Sequence, residues 1–314
     1  MREIFIGEEI KKSREDLGIS QMDLSAGICD VTTLSRLENG QQTPSRKVVK
    51  SLLSRLGEPD DRFFAYITGK EAQIEVNIKD ITSFIIEYEN SVGEDKKNKR
   101  KEILDKIGEL EKIISKDDSI SRQFIERSKV IVGNDVGDYS AEEKIALLEH
   151  AIRLTYPKFD IAKIEKGYFS YDEVVIISHL ANEYCANDQI ELATDILKQL
   201  LKNIEKRFKK ISSGWNRKSL VQYNLARCLL IEDNIKEASE YAESGKNVCI
   251  EHNTYNLLPG FYIILAECCY RQGDMLKSKE LFIEAYYLCE AIKQESNLEV
   301  ARKSLKEYFE IILD

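Results

Sequence analysis

The dipeptide Leu-Ala recurs at 180–181, 225–226 and 265–266, and each copy is followed by the same pattern. Nine residues beyond the alanine stand Ile190, Ile235 and Met275, and twelve beyond it stand Ala193, Ala238 and Ser278. Polar pairs lie between them: Asn187-Asp188, Asp233-Asn234 and Gly273-Asp274. A small residue in each of two helices, joined by a polar turn, is what a close antiparallel pair requires. A unit of this kind cannot bury its apolar face alone, so three copies predict a stack of helical pairs.

That arrangement resembles the tetratricopeptide (TPR) repeat. The copies are 45 and 40 residues apart, longer than the usual ~34, so the helices are expected to be longer than standard. The proline usual between repeats is absent. Amphipathic runs at 73–90 and 96–115, separated by Gly93, together with 121–132 and 141–155, extend the helical reading toward the N-terminus and add degenerate units. The basic stretch 96–101 reads as a solvated helix start. With only four prolines and no β-type alternation, the expected class is all-α, a right-handed TPR-like α-solenoid whose concave face suits an extended peptide.

The N-terminal third has a different organisation. Ile6, Ile10, Ser13 and Leu17 fall at three- and four-residue steps and end at Gly18, an amphipathic first helix. Ser20 can cap a second helix with Asp23 in capping-box position, and Leu24 and Ile28 form its inward stripe. Gly27 is expected to let this helix approach the next, which Leu34 and Leu37 anchor. Thr43-Pro44 offers a cap and first-turn proline for a helix carrying Val48, Val49, Leu52, Leu53 and Leu56, and 60–67, with Phe63, Phe64 and Tyr66, would add a fifth. Burying the leucines leaves Asp30, Val31, Thr32, Thr33 and Arg36 outside. Short polar groups near a helix start plus one arginine form the surface with which a helix-turn-helix meets base edges and phosphates. A plain helical hairpin with solvated polar faces would share this pattern over two helices, but not over the fuller order.

Residues 6–57 resemble the Cro/C1-type (XRE) helix-turn-helix domain. The motif Ser20-Gln21, Leu24-Ser25, Gly27-Ile28-Cys29 and Leu34-Ser35-Arg36-Leu37-Glu38-Asn39-Gly40 is similar to the Rgg/PlcR-type peptide-pheromone-responsive regulators, whose turn is one residue shorter than the XRE pattern. The resemblance implies a five-helix DNA-binding domain at 1–68 and a peptide-binding, dimerising helical body at 69–314. Its expected partners are double-stranded promoter DNA, a short signalling peptide and a second copy of the chain. The expected DNA contacts are Gln21, Asp30, Val31, Thr32, Thr33, Arg36 and Arg46. In the body, residues one position after the packing alanines are expected to face the groove, namely Asn182, Arg227 and Glu267, with Tyr223, Asn224, Tyr262 and Tyr270 nearby. Groove asparagines clamp the peptide backbone in the resembled family, a role carried here onto Asn182 and Asn224, since an amide offers both donor and acceptor. The same asparagines could instead satisfy neighbouring helices, and tyrosines at helical spacing are commonly core.

The net charge of −9 argues against nucleic acid only until it is divided. Residues 1–70 hold eleven Lys and Arg against eleven Asp and Glu, so the whole excess lies in 71–314. A neutral head with Arg36, Arg46, Lys47 and Lys50 in or after its second motif helix can still meet phosphates, in a salt-sensitive manner. No signal peptide or membrane-length apolar run is visible, which predicts a cytoplasmic protein. Seven cysteines (29, 185, 228, 249, 268, 269, 289) lack metal spacing and read as buried, reduced thiols. His150, His179 and His252 show no metal spacing, and His179 reads as packed within its helix. No phosphate loop or nucleophile with a base is evident, so neither catalysis nor a cofactor is expected. Two other readings stay open: a TPR scaffold that inhibits a signalling protein, and a phage- or toxin-associated repressor sensing a protein.

Overall fold

The computed structural model describes residues 6–42, 44–57, 69–133, 137–207 and 214–313, and among them every regular element is helical. The N-terminal unit holds α1 (Ile6–Asp16), α2 (Gln21–Ser25), α3 (Val31–Glu38) and α4 (Arg46–Leu56). Ser20 caps α2, its hydroxyl accepting from the Asp23 N–H at 3.1 Å and donating to Asp23 Oδ2 at 2.7 Å. Ile10, Ile19, Leu24, Leu34, Leu37, Val49, Leu52, Leu53 and Leu56 form one small buried core. Arg14 binds Glu38 through two bonds of 2.6 and 2.9 Å, tying α1 to the end of α3. Glu38 in turn raises the Arg14 pKa.

Two local expectations change. α4 begins at Arg46 with Ser45 as its cap, because the Ser45 hydroxyl accepts from Val48 N–H at 3.4 Å; Pro44 precedes the helix, and Thr43 lies outside the described residues. The expected fifth helix at 60–67 also lies outside them.

The body comprises α5 (Gly69–Asn90), α6 (Gly93–Ile113), α7 (Ser119–Val132), α8 (Ala141–Thr155), a short 3-10 helix (Ile161–Lys166), α9 (Tyr171–Ala186), α10 (Ile190–Arg207), α11 (Gly214–Ile231), α12 (Ile235–Glu251), α13 (Leu258–Arg271), α14 (Met275–Ile292) and α15 (Glu295–Phe309). Consecutive helices pack as antiparallel pairs, α5 with α6, α7 with α8, and onward to α13 with α14. The repeat read in the sequence sets the register: Ile190, Ile235 and Met275 each open a second helix. Ala181, Ala193, Ala226, Ala238, Ala266 and Ser278 are all fully buried where paired helices cross. Seven residues after each packing alanine, Asp188, Asp233 and Gly273 take positive φ and turn the chain back.

The first helices of successive pairs, α9, α11, α13 and finally α15, lie against one another and form an inner layer. The stack curves until its end meets its beginning, where Gln294 at the start of α15 donates to Asn90 at the end of α5 at 3.1 Å. Of the cysteines, Cys228, Cys249, Cys268 and Cys289 are buried, whereas Cys29, Cys185 and Cys269 are partly exposed; all seven are free thiols. Burial pushes the Cys29 thiol up to about 11. No helix among the described residues is long and apolar enough to cross a membrane.

Candidate functional site

The exposed surface of α3 is built as its sequence requires. Leu34 and Leu37 turn inward, so Val31, Thr32 and Arg36 are exposed, Asp30 is exposed at the helix start, and Thr33 is half-buried. The body leaves this face uncovered, because α3 packs on α1 and α2. Two expected DNA contacts are engaged elsewhere. Gln21 donates to Glu38 Oε2 at 2.7 Å, joining the Arg14–Glu38 pair. Arg46 stands 3.7 Å from Glu75 of α5, and its neighbour Lys47 binds Asp118 and Ser121 at the start of α7. The cationic side chain of the expected set that projects freely from the reading helix is therefore Arg36.

Gly27 does not separate α2 from α3 as expected. It takes φ +71°, and a Cβ there would stand 1.9 Å from the Thr155 carbonyl oxygen at the end of α8. The turn of the N-terminal unit is pressed onto the body.

On the inner layer, the structure brings Asn182 of α9 and Asn224 of α11 together: Asn182 Nδ2 donates to Asn224 Oδ1 at 3.3 Å. Asn224 is buried and Asn182 half-buried. Tyr223 meets Phe261 edge-on at 5.5 Å, and the exposed Arg227 guanidinium lies 5.7 Å from the Tyr223 ring. Burial raises the Tyr223 pKa, Arg227 lowers it and Glu89 raises it again, which places a carboxylate of α5 within electrostatic reach of the same face. The remaining expected groove residues turn to other partners. Tyr270 stacks on Tyr308 of α15 at 3.9 Å, and Glu267 accepts from Tyr308 Oη at 3.1 Å and from Arg271 at 3.0 Å. Tyr262 lies 5.5 Å from Lys246 Nζ of α12.

Three residues on this side were missed by the sequence reading as site members. His179 sits one turn before Asn182, and burial followed by the nearby Arg127 holds its pKa down to about 4. Burial raises the Glu89 carboxyl, while Arg127 and Lys96 draw it back. Arg127 of α7 is nearly buried and bonds Asp172 at 3.3 Å. His179 could have been found from its spacing to Asn182; Glu89 and Arg127 lie outside the repeat and gave no periodic signal.

Residues 10–63 match the family profile described as Helix-turn-helix. The N-terminal unit is a helix-turn-helix domain. Comparison with curated proteins finds no match by sequence. Among solved structures, the helix-turn-helix domain and body together resemble Bacillus thuringiensis PlcR in complex with the peptide PapR7 and DNA, at 20% identity, with 95% of this chain and 98% of that chain covered and a TM-score of 0.62. The apo form of the same PlcR aligns at 19% identity over 97% and 98% of the two chains, TM-score 0.54. The apo competence regulator ComR of Streptococcus vestibularis aligns at 16% identity over 96% and 97%, TM-score 0.52. The chain thus shares one whole fold with them, a helix-turn-helix domain on a TPR-like solenoid.

Proposed function

We propose that the chain is a peptide-responsive, DNA-binding transcription regulator, acting as a homodimer, with the helix-turn-helix domain at 1–68 and the peptide-binding body at 69–314. The observation that carries this reading is the coexistence of an uncovered α3 face and an asparagine pair on the inner layer of the solenoid, in a fold shared with a protein solved with peptide and DNA. A dimer follows from interface size: one reader covers little DNA, whereas two on a palindrome share the association cost.

Arg36→Ala should weaken binding to a duplex selected by the full-length protein from a random pool by ~1 to 3 kcal/mol, the size of one good base or phosphate contact, with folding intact. Salt-titrated mobility shifts measure it, and unchanged affinity removes Arg36 from the interface. For the groove, Asn182→Ala and Asn224→Ala should each lower affinity for a short peptide selected from a synthetic library by ~1 to 3 kcal/mol, because an extended backbone loses its amide clamp. Since Asn224 is buried and bonded to Asn182, its removal should also reduce stability by ~1 kcal/mol. Calorimetry showing wild-type peptide affinity in both variants would make these asparagines structural.

A further inference from the structure

The deepest polar cluster in the molecule joins the helix-turn-helix domain to the solenoid. Arg55 of α4 and Glu173 of α9 form an ion pair of 2.5 Å in which neither side chain is exposed. Arg55 Nη1 also donates to the carbonyls of Leu24 at 3.0 Å and Ala26 at 2.7 Å, the end of α2 and its turn. Its Nη2 donates to the Thr155 carbonyl at 3.3 Å. Glu173 is saturated: Oε1 also accepts from Thr155 Oγ1 at 2.7 Å, and Oε2 accepts from the Ser170 N–H at 2.7 Å. Gln123 of α7 donates to Thr155 Oγ1 at 2.5 Å, extending the chain of bonds across the body. Beside this pair, the Ser54 carbonyl accepts from Arg217 Nη2 of α11 at 2.6 Å, and its hydroxyl accepts from the Tyr171 N–H of α9 at 3.1 Å.

The two body helices that grip α4 through Glu173 and Arg217 also carry the inner-layer asparagines. Glu173 and Asn182 are nine positions apart on α9, roughly 13 Å along the axis, and Arg217 and Asn224 are seven apart on α11, roughly 10 Å. Helices transmit small displacements along their length because their backbone bonds hold them rigid, and a buried ion pair tolerates little misalignment before a charge loses its partner. The uncovered face of α3 takes no part in the contact, so the seat sets the orientation of the reading helix without hiding it.

We propose that Arg55–Glu173 is a latch fixing the helix-turn-helix domain on the solenoid, and that α9 and α11 link the Asn182–Asn224 bridge to that latch, so that opening the bridge shifts the seat of the domain. This rests on the inner layer being the ligand groove. A ligand that favours the opened bridge would then be coupled to domain orientation by its differential affinity for the two arrangements.

Amide hydrogen exchange on the full-length, peptide-free protein tests the latch and the link. Glu173→Gln, which removes the charge and keeps the shape, and Thr155→Val, which removes only the bridging hydroxyl, should each raise exchange tenfold or more across 21–29 and 46–57 while leaving α13 and α14 unchanged. Asn182→Ala and Asn224→Ala should raise exchange in those same segments at least threefold. Uniform acceleration that includes α13 and α14 would overturn the latch, and asparagine variants that alter only α9 and α11 would overturn the link. If these rates move yet no peptide binds in calorimetry, the ligand reading fails and the coupling stands; if peptides bind and the rates stay still, the reverse holds.

Discussion

Gly27→Ala should destabilise the protein by about 3 kcal/mol or more, whereas Gly40→Ala, in the same domain, should lose only about 1 kcal/mol. Both glycines have positive φ, +71° and +67°, so each alanine carries the ~1 to 2 kcal/mol penalty of left-handed backbone. Their surroundings differ. Nothing lies within 4 Å of a Cβ at Gly40, but at Gly27 it would meet the Thr155 oxygen at 1.9 Å and its carbonyl carbon at 2.1 Å. These are backbone atoms, and Arg55 and Glu173 fix them from the other side, so relief requires lifting the helix-turn-helix domain from the body. Overpacking of this kind adds ~1 to 3 kcal/mol. Equilibrium denaturation of both variants followed by circular dichroism measures the difference; equal losses would show that the contact at Gly27 yields freely.

Acidification from pH 6.5 to 4 should remove up to ~3 kcal/mol of stability through His179 alone. Burial, reinforced by Arg127, lowers its pKa from 6.5 to about 4 in the folded protein. Above pH 6.5 the ring is neutral in both states and contributes no pH dependence. Between 6.5 and 4 the unfolded chain binds a proton that the folded protein refuses, so unfolding is favoured as pH falls; below 4 both states are protonated and the loss levels off. His179→Gln should unfold like the parent at pH 7.5 and lose less stability by pH 4.5, read from denaturant midpoints at the two values. Parallel pH curves for the two proteins would place the imidazole in water.

Much of the architecture is local chemistry repeated, and so was readable. The alanines at 181, 226 and 266 pack against neighbouring helices because a larger side chain would hold the backbones apart, and the reversal seven residues later falls at Asp or Gly, residue types that tolerate positive φ. The pattern Ser20 to Gly40 likewise encodes a cap, two inward leucines and an outward polar face, all within a few turns. The candidate groove was only partly readable. Helical phase put Asn182 and Asn224 on the inner face, but the same phase could not say that Glu267 and Tyr270 would be taken up by Tyr308, forty-one and thirty-eight residues further on.

What the sequence by itself determined is therefore the inventory of helices, their pairing and the face of α3. The tertiary structure decided how the two units sit on one another. Glu173 shows the division within one side chain. Its Oε2 accepts the Ser170 N–H three residues away, a capping box written in the spacing of a serine and a glutamate. Its Oε1 accepts from Arg55, 118 positions distant, and no periodicity relates those two residues. Such a pair forms only after both units have folded and brought two charges out of water together, since each alone would be too poorly solvated to stay buried.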